Sequence, residues 1–237
     1  MKAPDAADVL AALEAQWALL IAAAPRLDGT ASTPLPGWDG ALLLGHLCGT
    51  VERLVTTAAA VTASPTTTEA VLDAVTWWTA PNADHEDGTG DADRLRTAVA
   101  AAREVLATAD TTDVVGPGIR LAGDARTRRQ EAVVHGLDLG VPPDRAALRL
   151  TVRLLVEVLA ARQPGRSVEL RVPPFAAAQV IPGPRHTRGT PPAVVEAEPV
   201  AWVLVATGRR TFAGAVADGG IRASGGRSDL TPYLPLL

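Results

Sequence analysis

"RRQEAVVHGLDLG", residues 128–140, reads as an otherwise apolar helix that stops at Gly140, just before the pair Pro142-Pro143. The glycine and the double proline end the helical pattern and mark a linker, so this stretch closes one half of the chain. Glu131 and His135 stand four positions apart in it. On an α-helix such residues lie one above the other, with Val134 and Asp138 beside them, and both can point at one object. Spacing alone leaves three readings open: a surface pair, a satisfied core hydrogen bond, or two ligands of a metal.

Before this stretch, helical runs alternate with Pro, Gly and Asp clusters. Asp5 or Asp8 caps a first helix that ends before Pro25, and "PLPGWD" leads into a second, from about Asp39 to Val61, with Asp39 as N-cap. A shorter helix runs through "TTEAVLDAVTWW", and the acidic loop "PNADHEDGTGDAD" interrupts the pattern. "DRLRTAVAAAREVLATA" restores it, and after the loop "DTTDVVGPG" a last helix runs from about Asp124 to Leu139. Four long helices and a short one predict an antiparallel bundle.

Beyond the prolines comes one more helix, "RAALRLTVRLLVEVLAAR", and then the pattern changes. "SVELRV" alternates as a strand; "AAAQVI", "AVVEAE" and "GIRASG" are further strands, with helices at "PVAWVLVATG" and "RTFAGAVA". The predicted fold class is α+β and mostly helical, with a four-helix bundle over residues 1–141 and a small α+β domain over 144–237.

Composition narrows the chemistry. With 237 residues, 47% of them hydrophobic, the chain can bury a substantial core. A formal net charge of -4, with arginines scattered among acids, lacks the basic stripe of a nucleic-acid binder. "ADVLAALEAQWALLIAAAP" carries Asp8, Glu14 and Gln16 and reads as an amphipathic helix rather than a membrane span or a signal peptide. One cysteine, Cys48, forms no internal disulfide, which fits a cytoplasmic location. The only lysine is Lys2, which removes Schiff-base and P-loop chemistry. Neither G-x-S-x-G nor a strand-to-helix G-x-G-x-x-G occurs, so serine hydrolases and Rossmann oxidoreductases fall away as well.

A third candidate ligand lies in "GALLLGHLCGTVERLV", where His46 has Leu42, Leu43 and Thr50 as helical neighbours and faces the interior. A lone histidine there also fits a core residue bonded to a carbonyl. Bundles do build metal sites from single ligands on one helix and paired ligands on another, and two imidazoles with one carboxylate leave a fourth position open. Cys48 is no partner for His46, because residues two apart on a helix point about 200° apart; it reads as a small buried hydrophobe. His85 reads as part of a solvated acidic turn and His186, in "GPRHTRGTPP", as a loop or pocket residue.

With Trp38 ahead of the helix bearing His46, and the Glu131 to His135 pair followed by Asp138, the chain resembles the mycothiol-dependent maleylpyruvate isomerase family. The closing "VATGRRTFAGAVADGGIRASGGRSDLTPYLPLL" is similar to the end of the sterol carrier-like domain of those proteins, and "RVPPFAAAQVIPGPRHTRGTPPAVVEAEP" resembles an actinobacterial branch labelled as sterol carriers. The resemblance implies a DinB-like bundle, zinc or another divalent metal on His46, Glu131 and His135, and mycothiol as cofactor. It also implies a substrate-binding arginine in the second domain, Arg209 by position, with Arg222 and Arg227 as alternatives. A zinc-bound site would present the thiol as thiolate, for an isomerase or thiol transferase whose partners are a small carboxylate-bearing electrophile and the thiol, with no nucleic acid and no membrane. The alternative is a non-catalytic carrier of an apolar ligand, suggested by "AWVLVA" and "LTPYLPLL".

Overall fold

The computed structural model describes residues 4–63, 88–109, 114–115, 119–183 and 193–236. The short helix expected at "TTEAVLDAVTWW", most of the acidic loop with His85, and His186 lie outside these residues. The chain divides near residue 147 into two compact units.

In the first unit α1 spans Ala6–Ala23, α2 Gly40–Ala63, α3 Ala92–Leu106 and α4 Leu121–Asp138. The first three starts have a local cause. Asp5 Oδ1 accepts from the Ala7 N–H at 3.0 Å, and Asp39 Oδ1 from the Leu42 N–H at 2.9 Å. Asp91 Oδ1 accepts from the Asp93 and Arg94 N–H groups, each at 2.8 Å, so that amides without a helical partner are satisfied. A two-residue hairpin, β1 at Val114–Val115 and β2 at Ile119–Arg120, precedes α4 where the sequence reads as a loop.

By length and composition α1 and the turn after it could cross a membrane. In the fold α1 buries Val9, Ala12, Leu13, Trp17 and Leu20, and two polar contacts tie it to the bundle. Glu14 pairs with Arg103 of α3 at 2.7 Å. The fully buried Gln16 donates from Nε2 to the Ala132 carbonyl at 3.3 Å and accepts the Asp144 N–H on Oε1 at 2.8 Å. Gln16 thereby locks α4 one residue from Glu131. The chain leaves α4 through Gly140, whose φ of +73° lets the Gly140 and Val141 N–H groups turn back to the Leu137 and Gly136 carbonyls.

The second unit holds most of α5 (Arg145–Arg162), β3 (Val168–Val172), β4 (Ala176–Val180), β5 (Ala193–Ala197), α6 (Pro199–Ala206), α7 (Phe212–Ala217) and β6 (Ile221–Ser224). The sheet order is β4-β3-β5-β6, with β3 and β5 parallel and both outer pairs antiparallel. Leu170 stands opposite Ala178 on one side and Val195 on the other. Alternation puts Val168, Leu170 and Val172, and likewise Ala193, Val195 and Ala197, on the buried face. In the apolar segment "AWVLVA", Ala201, Trp202, Val203, Val205 and Ala206 are buried as core, and Leu230 joins them. The helical first unit and small mixed sheet match the expected α+β, mostly helical class.

Candidate metal centre

Three side chains from two helices meet in the first unit: His46 from α2, and Glu131 and His135 from α4. Glu131 Oε2 lies 3.4 Å from His46 Nε2 and 3.0 Å from His135 Nε2, and the three donor atoms fall within 4.8 Å of one another. Around a tetrahedral ion with ligands at about 2.0 to 2.1 Å, neighbouring donors stand roughly 3.3 Å apart. Both carboxylate-to-imidazole separations are of that size, so these three side chains could hold a small divalent cation.

Packing fixes each side chain. The His46 and His135 rings meet edge to face with centroids 5.1 Å apart, and Trp38, just ahead of α2, meets His46 in the same manner at 5.5 Å. His135 Nδ1 stands 3.0 Å from Asp138 Oδ2, a carboxylate buried to 1% exposure. Asp138 therefore holds the ring at Nδ1 and leaves Nε2 directed at the cluster. On the N-terminal side of the same helical stripe Asp124 pairs with Arg128 at 3.0 Å.

Close backbone contact sets the position of the His46 turn. A Cβ on Gly45 would stand 1.9 Å from the Gly88 carbonyl oxygen, and one on Gly90 2.5 Å from the Gly45 nitrogen. Only glycine at both positions lets the 88–90 segment lie across α2 beside His46.

Electrostatics separates the carboxylate from the thiol. Burial by itself would raise the Glu131 carboxyl, but the hydrogen bonds and charges of His135 and His46 outweigh it and hold the group well below the usual carboxylate range. Glu131 is thus an anionic donor throughout the neutral range. Burial pushes the Cys48 thiol up to about 11, and the side chain is fully enclosed. The expectation of Cys48 as a buried hydrophobe outside the cluster matches this placement.

Arg209, the sequence candidate for substrate binding, belongs to the second unit. It follows the turn that ends α6, with its N–H returning 2.8 Å to the Leu204 carbonyl and its Nη1 donating to the Thr207 carbonyl at 2.8 Å. Arg222 lies exposed on β6, and Arg227 lies exposed beyond it. Asp138 and Trp38 were visible in the sequence as neighbours of the cluster; their contacts to the two imidazoles were not.

A helical unit that gathers two imidazoles and a carboxylate, followed by a small α+β unit, places the chain in the class of two-domain proteins with a metal-site-like bundle. Within that class the model of the mycothiol maleylpyruvate isomerase N-terminal domain matches residues 10–140, and that described as bacterial SCP ortholog matches residues 144–236. The chain belongs to the mycothiol maleylpyruvate isomerase family. Its fold is similar to a crystal structure of the mycothiol-dependent maleylpyruvate isomerase, at 18% identity and a TM-score of 0.64, over 97% of each chain. A mutant of that isomerase gives 15% identity and a TM-score of 0.59, over 98% of this chain and 99% of the other. No functionally curated protein matches the sequence.

Proposed function

We propose that this protein is a cytoplasmic, zinc- and mycothiol-dependent enzyme, an isomerase or thiol transferase acting on a small carboxylate-bearing electrophile. The observation that carries the reading is the meeting of one donor atom each from His46, Glu131 and His135 within 4.8 Å. Two histidines and a carboxylate form the protein side of several catalytic zinc sites, which leave a position open. Bound there, zinc would supply a positive centre that lowers the pKa of a thiol in the open position.

The chain's own residues do the rest. Glu131 contributes the single negative charge, and the two histidines ligate as neutral imidazoles through Nε2. Asp138 accepts the Nδ1 proton of His135 and so keeps the Nε2 lone pair directed inward. Trp38 backs the His46 ring and limits its rotation. Cys48 is enclosed and stays a thiol at neutral pH, so the reacting sulfur comes from a small molecule. A small-molecule thiol held at the open position would supply the nucleophile for reversible addition to a cis double bond conjugated to a carbonyl, the chemistry an isomerase of this kind requires. Arg209, with Arg222 and Arg227 as the alternatives, would hold the substrate carboxylate through its planar fork of donors.

Cobalt-substituted protein tests the thiol half of the proposal. Mycothiol should add a thiolate-to-cobalt absorption band and shift the visible bands of the ion. A cobalt spectrum indifferent to millimolar mycothiol would contradict it.

A further inference from the structure

The strongest anomaly outside the cluster lies on another face of α4. Arg129 is fully buried, among the largest enclosed side chains, and its Nε, Nη1 and Nη2 have no hydrogen-bond partner among the described residues. The next residue, Gln130, is equally enclosed, and neither end of its amide has a partner among the described residues. Buried polar groups in native proteins are almost always bonded, and a buried guanidinium without a counter-ion is strongly destabilising. Arg126, one turn earlier on α4, brings a second positive charge toward Arg129 rather than a counter-charge.

Arg126, Arg129 and Gln130 occupy positions i, i+3 and i+4 and therefore share one face of α4. Arg129 lies two residues before Glu131, on a helix where two residues turn about 200°, so this face is separate from that of Glu131 and His135. The donors define what would satisfy them. A planar guanidinium matches two oxygens of one oxyanion, and the Gln130 NH2 can donate to another. Gln130 Oε1 accepts only, so it calls for a hydroxyl on the same ligand. Hydrogen phosphate carries both kinds of group.

We infer that the Arg126–Gln130 turn of α4 is a buried binding site for a small hydroxyl-bearing oxyanion of the phosphate type, separate from the His46, Glu131 and His135 cluster. The full chain, stripped of metal by a chelator, should show a saturable rise of several degrees in Tm with inorganic phosphate at constant ionic strength. Sulfate, which has no hydroxyl at neutral pH, should produce a smaller rise. Equilibrium dialysis should find one phosphate per chain. His135→Ala should keep the phosphate response, and Arg129→Met should lose it while its Tm in phosphate-free buffer stays equal to or above that of wild type, because an uncompensated charge has been removed. Arg129→Lys, which keeps the charge without the planar fork, should bind phosphate at least tenfold more weakly. Absence of saturable phosphate binding to wild type would overturn the assignment, and so would undiminished binding in Arg129→Lys or loss of binding in His135→Ala.

Discussion

Asp138 Oδ2 stands 3.0 Å from His135 Nδ1, on the opposite side of the ring from Glu131, and Asp138 is the more deeply buried of the two carboxylates. Such a partner fixes both the tautomer and the direction of a ligating imidazole, and its loss typically costs 10- to 100-fold in metal affinity. Asp138→Asn, which keeps size but not charge, should weaken zinc binding by roughly one to two orders of magnitude. Competition against a chromophoric chelator reads this directly. An unchanged affinity in a folded Asp138→Asn protein would reduce Asp138 to a packing residue.

Cys48 should be silent in the chemistry. With its thiol pushed up to about 11 and its side chain enclosed, it should resist alkylation at pH 7.5 until the protein unfolds. Cys48→Ala should retain mycothiol-dependent turnover within about twofold, since the side chain touches no reacting atom. Loss of turnover in a stable Cys48→Ala protein would move the nucleophile from the cofactor to the chain.

Acid stability should carry the signature of Glu131. Its folded-state carboxyl is depressed below the unfolded value, so its contribution to stability is present above the usual carboxylate range and is lost as pH falls through the depressed value. In metal-free protein the Tm of wild type should therefore fall more steeply than that of Glu131→Gln as pH drops from about 5 toward 2. Parallel acid limbs for the two proteins would show that Glu131 is not held as the hydrogen-bond geometry requires.

Much of this arrangement was legible in the sequence because helix and strand periodicities report burial. Asp39 caps α2 as its position predicted, Asp5 rather than Asp8 caps α1, and β3 to β6 fall within a residue of the alternating stretches. The start of α4 was misplaced. The sequence pattern starts the helix at about Asp124, yet it begins at Leu121, and Asp124 sits inside the first turn with Oδ1 3.0 Å from the Arg128 guanidinium. β1 and β2 were read as loop because two residues per strand are too short for any period to show. Helical spacing put Glu131 and His135 on one face and turned Cys48 away from His46, and the structure adds the distances. The enclosed Arg129 could not be foreseen, because arginine in a helix ordinarily reads as a solvated position.

The central claim is that His46, Glu131 and His135 hold one divalent ion, and metal content measured alongside circular dichroism tests it most directly. Purified wild type should carry about one equivalent of zinc per chain, and His46→Ala and His135→Ala should each lose it while keeping the helical spectrum, since a three-ligand open site does not survive the loss of an imidazole. Wild type that takes up no zinc on reconstitution, or His135→Ala that retains a full equivalent, would contradict the account.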